Sequence, residues 1–279
     1  MRPHNPKAPA FGRKWRRISA IGCSHGDLAH ADRLNEVIAF VDRFKPEIRF
    51  DLGDIMDTAA FRNGARGTKD ESQPVAPDNL AAVEWLRRYR PTHITWGNHD
   101  WRLVHWQGHP NAAVSFAAST VWGCLQDEVK KLHAWQLPYK DRLAFHMGGV
   151  YWTHGTQYGE NALRDHAEKF GGPVVMAHIH RAETSQGRTV RESGSFSVGT
   201  LSDIHRMTYA DTNRAKNRWG AGVVFGEMCE TESKLWLARN KTEDEIGPET
   251  ATLFKRPTGA DGWQPLKIQE NPILFPPGC

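Results

Sequence analysis

Ile48-Arg49-Phe50-Asp51-Leu52-Gly53-Asp54-Ile55-Met56-Asp57 joins a short apolar run to a glycine and two carboxylates. The run reads as a β-strand, and the glycine and acids as the turn that leaves it. The same arrangement recurs on either side. Residues 18–21 lead into Gly22-Cys23-Ser24-His25-Gly26-Asp27, and residues 92–96 into Gly97-Asn98-His99-Asp100. Further on, residues 150–153 lead into His154-Gly155, and residues 174–177 into His178-Ile179-His180. Ligands of open α/β sheets bind outside the carboxyl ends of the strands, so five strands of one orientation would bring these residues to one rim.

Helical periodicity fills the spaces between them. Leu34, Val37, Ile38, Val41 and Phe44 recur at helical spacing up to the stop at Pro46. Residues 62–79 are polar and glycine- and proline-rich, and read as a long loop. Asp78 is the expected N-cap of a helix carrying Leu80, Val83 and Leu86 and ended by Pro91. Residues 101–136 read as mostly helical, and Leu163, Ala167 and Phe170 mark a helix stopped by Gly171-Gly172-Pro173. Short strands follow residue 181 as far as about 237. The expected fold is an α/β domain of sheet layers flanked by helices, over residues 17–240. A flexible basic arm (1–16) precedes it and a Pro-rich extension (241–279), with six of the 16 prolines, follows.

Composition narrows the class. Hydrophobic residues make up 39% and charged residues 24%, as in a globular domain, and no apolar run is long enough for a membrane helix. The four cysteines form no close pair, which points to a reducing cytoplasm rather than a disulfide scaffold. Residues 1–20 carry six cations and no acid, against a net charge of +4 for the whole chain. That arm could contact nucleic acid or simply be a solvated tail. Trp101, Trp106 and Trp122 could stack on bases, although helical aromatics are more often core.

Imidazoles, carboxylates and an amide carbonyl at the strand ends form a hard-to-borderline ligand set. It suits Mn, Fe, Zn or Ni better than Ca or Mg. Each cluster alone has an ordinary structural explanation; five in this order make that explanation poor. Nine of the 14 histidines fall outside the clusters and carry no site assignment.

The ordered set resembles the calcineurin-like metallophosphoesterase superfamily, whose pattern runs Asp-x-His, Gly-Asp-x-x-Asp, Gly-Asn-His-Asp/Glu, a single His, and Gly-His-x-His. The pieces here are Cys23-Ser24-His25, Gly53-Asp54-Ile55-Met56-Asp57, Gly97-Asn98-His99-Asp100, His154, and Ala177-His178-Ile179-His180. Residues 197–203, with Trp219 and Gly222, look similar to phage-type members. The resemblance implies a layered α/β/β/α sandwich of two mixed sheets, residues 181–237 contributing to the second. It implies a two-metal centre at the strand ends. Asp54 would bridge both ions, His25, His180 and the residue at position 23 would complete one site, and Asn98, His154 and His178 the other. His99 would act as general acid with Asp57 as its partner, and Arg62 and Arg66 are the nearest cations for a substrate phosphate. The implied activity is phosphoric ester hydrolysis.

One position departs from the pattern: the first aspartate is Cys23. Cys23 could ligate as thiolate, favouring Zn or Fe. It could stay a neutral thiol and leave the first site weak, or Asp27 or Asp51 could take its place. Thr58 stands where protein phosphatases of this superfamily carry Arg, which counts against that substrate class. The expected substrate is a nucleotide or nucleic-acid phosphodiester, with phosphomonoesters or phosphoproteins second. A non-catalytic nucleic-acid-binding adaptor on a degenerate scaffold is the alternative from another class.

Overall fold

A computed structural model describes residues 13–186, 194–207, 216 and 218–239. The Pro-rich extension and most of the basic arm lie outside the described residues. Arg17, counted with the arm's cations, belongs to the fold: it donates to the Phe44 carbonyl at 2.8 Å.

The chain runs β1 (Arg16–Ile21), α1 (Ala31–Phe44), β2 (Ile48–Asp51), α2 (Val75–Tyr89), β3 (His93–Thr95), α3 (Asn98–Trp106), α4 (Ala112–Lys131) and β4 (Trp135–Leu137). It continues with β5 (Phe145–Met147), β6 (Val150–Thr153), α5 (Ala162–Phe170), β7 (Val174–Met176), β8 (Ala182–Ser185), β9 (Ser195–Val198), β10 (Gly222–Met228) and β11 (Ser233–Arg239). Two mixed sheets form, in the orders β11-β10-β1-β2-β3-β4 and β5-β6-β7-β9-β8. β1, β2, β3 and β4 are mutually parallel, as are β6, β7 and β9.

Alternation along the strands builds the layers. Ile48 and Phe50 of β2, with Leu52, point between the sheets, where the Phe50 ring stacks on Trp152 of β6 at 4.2 Å. Arg49 and Asp51 point the other way, onto α2. Arg49 donates to the Tyr89 carbonyl at 2.8 Å and the Trp85 indole donates to Asp51 at 3.0 Å. Val37 and Val41 of α1, Trp85 and Leu86 of α2, Leu103 of α3 and Trp122 of α4 cover this outer face of the first sheet. Leu163 and Ala167 of α5 cover the outer face of the second against Val174 and Met176. The result is the expected α/β/β/α sandwich.

Four details depart from the sequence reading. β10 pairs with β1 and β11 with β10, both in the first sheet, and of the described strands after residue 181 only β8 and β9 extend the second. β4 and β5, three residues each, are too short to show a period. Asp78 does not cap α2, which starts at Val75 after Pro74; it is buried in the first turn. Trp122 is core, packed against Trp96 at 4.7 Å and Trp101 at 5.8 Å, so base stacking is ruled out for it. Among the described residues no helix is long and apolar enough to cross a membrane.

His93 of β3 sits between the rings of Phe50 (4.9 Å) and Phe145 (5.1 Å), and burial pushes its imidazole down to about 4. A histidine with a lowered folded pKa contributes stability above its unfolded pKa, and that contribution fades as pH falls toward the folded value. From about pH 7 to about pH 5 this group is expected to cost about 2 kcal/mol. Denaturant unfolding of the wild type and His93→Phe at both pH values checks this, the variant losing less stability.

Candidate metal centre

The strand ends deliver their side chains through unusual backbone. Cys23, His25, Asp54, His178 and His180 all have φ between +53° and +65°, in the left-handed region that non-glycine residues rarely occupy. Each costs of order 1 kcal/mol and persists only where surroundings enforce it, which marks the site as one held against local preference. Here the enforcement is visible. The His25 and Gly26 amides donate to the Asp54 and Ile55 carbonyls at 2.9 and 2.7 Å, and the Cys23 amide donates to Gly53 at 2.8 Å.

Three clusters of candidate ligands result among the described residues, and two of them share Asp54. Cys23 Sγ, a His25 nitrogen, an Asp54 oxygen and a His180 nitrogen lie within 4.8 Å of one another, as do atoms of Asp54, His154 and His178. Hydrogen bonds fix the ring orientations. His154 Nδ1 donates to the Leu52 carbonyl at 2.6 Å, so in the neutral ring Nε2 is the lone pair. That lone pair faces Asp54 Oδ2 and Asn98 Oδ1, both at 3.2 Å. Three acceptors converging on one point repel one another unless a cation or proton lies among them. His25 Nδ1 donates to Asp57 at 3.0 Å, so its Nε2 lone pair faces His180 Nε2, also at 3.0 Å. The buried His180 Nδ1 has no partner among the described residues.

The electrostatics agree. Burial pushes the Asp54 carboxyl up, but the imidazoles of His154, His99 and His25 outweigh it and hold the group well below the usual carboxylate range. Burial pushes His178 down to about 3 and His180 well below its ordinary value, which keeps both neutral and able to ligate. Donors of these types are able to hold divalent cations.

Cys23 lies with this set. Its thiol is wholly buried, accepts the His178 amide at 3.3 Å, and is pushed well up by burial and then by Asp54. The proposed substitutes do not reach the site. Asp51 accepts from Gly53 and from the Trp85 indole, and Asp27 pairs with Arg206 at 3.0 Å; neither belongs to a ligand cluster.

Asp57 does more than partner His99. One oxygen accepts from His25 Nδ1 at 3.0 Å and lies 3.2 Å from His99 Nδ1, and these two hydrogen bonds hold the carboxyl far below its ordinary value despite burial. Its carbonyl accepts from His99 Nδ1 at 2.8 Å. Asp57 therefore orients a candidate ligand and the candidate acid together. Asp57→Asn is expected to weaken Mn or Zn binding about 10–100-fold, as loss of such orienting partners does, in a calorimetric metal titration.

His99 and Asp57 open onto a cavity of about 320 Å3. Arg62 lines it, whereas Arg66 is exposed and does not. Arg102, Arg206 and Lys69 line it as well. Sequence reading missed them: Arg102, one helical turn after Asn98, could have been found from that motif, whereas nothing local to Lys69 or Arg206 tells where the side chain goes. It also missed Tyr139, whose ring lies 5.8 Å from His154 and whose hydroxyl burial and Asp54 push up to about 12.

No family model and no curated protein sequence matches the chain. Solved structures similar to it include a predicted phosphoesterase from Streptococcus pneumoniae (16% identity, 81% of this chain, 90% of that one, TM-score 0.35). Chaetomium thermophilum Vps29 is another (12% identity, 82% and 90%, TM-score 0.40), as is Pseudomonas putida nuclease MPE (17% identity, 79% and 84%, TM-score 0.32). Likenesses this distant carry no assignment of activity.

Proposed function

We propose that the protein is a calcineurin-like metallophosphoesterase with a dinuclear centre, hydrolysing phosphodiesters of nucleotides or nucleic acid. The observation that supports this most is the pair of lone-pair-rich clusters sharing Asp54, set beside a cavity that contains His99. Cys23, His25, Asp54 and His180 would hold one ion, and Asp54, Asn98, His154 and His178 the other. When bound, such ions supply Lewis acidity toward phosphoryl oxygens and lower the pKa of water.

The chain's own residues do the rest. Leu52 and Asp57 fix the tautomers of His154 and His25, so that their Nε2 lone pairs face the site. Asp54 Oδ1 accepts the His99 amide at 2.8 Å, tying the acid's backbone to the shared ligand. His99 Nδ1 is held on Asp57, leaving Nε2 to deliver a proton to the leaving oxygen as water attacks phosphorus in line.

The test is hydrolysis of bis-p-nitrophenyl phosphate by metal-stripped protein resupplied with Mn, Zn, Fe or Ni. Metal-dependent turnover supports the phosphodiesterase. Turnover of only p-nitrophenyl phosphate would move the substrate to monoesters. The buried, protonated Cys23 thiol favours a second reading, a nucleic-acid-binding adaptor on an inactive scaffold. That reading requires protein that purifies without metal, shows no turnover with any ion, and binds single-stranded DNA with a steep salt dependence.

A further inference from the structure

The cavity beside His99 draws its charged lining from distant parts of the chain. Arg62 and Lys69 come from the segment 59–73, Arg102 from α3, and Arg206 from the turn that follows β9. Three guanidinium groups and an ammonium facing one small cavity would repel one another, and each arginine is held in place by an oxygen. Arg62 Nε bonds Asp70 at 2.5 Å, Arg102 Nη1 bonds the Asp57 carbonyl at 2.9 Å, and Arg206 Nη2 bonds Asp27 at 3.0 Å. Asp27, Asp57, Asp70 and Asp78 line the same cavity, the last with its carboxylate engaged by the Asp57 and Thr58 amides. Paired this way, the arginines are oriented in advance, and planar guanidinium groups match phosphate oxygens two at a time.

Leu28, Ala59, Ala60 and Val75 supply apolar lining, and Thr58 and Gln73 add polar groups. At about 320 Å3 the space is at the small end of ligand pockets, the size of one sugar–base unit with its phosphate. His99, the candidate acid, also lines the cavity, so a leaving group protonated by His99 would lie against it.

We propose that this cavity is an anion pocket that takes a phosphate-bearing nucleotide unit, the leaving half of the substrate. Its place in the reaction rests on the hydrolase proposed above; the binding itself does not. Asp27 competes with the incoming phosphate for Arg206, so the two residues of this exposed pair have opposite effects on binding.

The probe is thymidine 3′,5′-bisphosphate, titrated calorimetrically into the full-length, metal-stripped protein. Arg206→Gln is expected to weaken binding about tenfold. Asp27→Asn is expected to tighten it about threefold by removing the competing carboxylate charge, while the Asp27 backbone carbonyl still holds Arg206 Nη1 in place. With metal restored, Arg206→Gln is expected to lower kcat/KM for a 5′-phosphorylated dinucleotide at least about tenfold more than for bis-p-nitrophenyl phosphate, whose leaving group carries no phosphate. The proposal is overturned if both variants weaken binding, the mark of a pair that merely braces the loops, or if neither changes it by as much as about twofold. Binding with the two opposite shifts, but no metal-dependent turnover of any substrate, would keep the pocket and overturn the hydrolase. Turnover of bis-p-nitrophenyl phosphate with neither shift would do the reverse.

Discussion

Asp54→Asn is expected to lower metal-supported kcat on bis-p-nitrophenyl phosphate at least about a thousandfold, equivalent to ~4 kcal/mol of transition-state stabilisation. Asp54 is the one residue shared by the two principal ligand clusters, so its charge serves both. Asparagine keeps the shape and can still accept the His99 amide through one oxygen, but it brings no negative charge to the imidazoles of His25 and His154. Bound metal measured by elemental analysis should fall at both sites in this variant. Cys23→Ser should diminish only the site that Cys23 shares with His25 and His180. The apo fold is expected to survive, because asparagine keeps the shape, tolerates the left-handed backbone of this position and still accepts the His99 amide, losing only the carboxylate's attraction to the neighbouring imidazoles. Thermal unfolding of the metal-stripped proteins checks that. Turnover within about tenfold of wild type would remove Asp54 from the bridging position.

Gly53→Ala is expected to destabilise the protein by about 3–5 kcal/mol, adding backbone strain to overpacking. Gly53 has φ +89°, and a Cβ there would lie 2.3 Å from the Thr95 carbonyl oxygen and 2.4 Å from the Gly97 nitrogen. Both obstacles are backbone atoms at the end of β3, so no side chain can swing aside. The displacement would spread to Asp54 and Asn98 on the two loops that meet there, and activity should fall with stability. Gly64 is the control. It also has positive φ, +81°, but a Cβ would find nothing within 4 Å. Gly64→Ala should therefore cost only the conformational strain, about 1 kcal/mol. Urea unfolding midpoints of the two variants separate the contributions. Equal losses would show that the close approach of the loops is unimportant.

The contrast between the two glycines illustrates what sequence reading could and could not recover. Gly53 and Gly64 look alike along the chain, both punctuating polar turns. Only the approach of β3 makes one of them irreplaceable. Asp57 behaves similarly. Its place in Gly53-Asp54-Ile55-Met56-Asp57 marks it as a site residue, yet its bond to His25, 32 positions away, becomes visible only when β1 and β2 lie side by side. An acid before an apolar run is usually a helix cap, and Asp78 stands in that place. Instead its carboxylate accepts the amides of Asp57 and Thr58 at 3.1 and 2.7 Å, bracing the loop that carries Asp57. Nearness in sequence points to Arg66, whereas Arg206, about 140 positions further on, lines the cavity.

Local chemistry settled the strand-and-turn grammar. Short apolar runs make strands, their alternation divides the two faces of a sheet, and a glycine with an ionisable residue at each end names the candidate ligands. Those preferences act over a few residues and are written into the residue types themselves. Long-range packing settled which sheet β10 and β11 join, the sharing of Asp57 between His25 and His99, and the neighbours of Cys23. It also brought Arg62, Arg102 and Arg206 to one cavity. His25 and His180 meet across 155 positions because parallel pairing aligns the ends of β1 and β2 in one sheet and of β6 and β7 in the other, and a common apolar layer presses the sheets together. Contacts of that range depend on the burial of that shared layer, a property of the assembled core that no single segment carries.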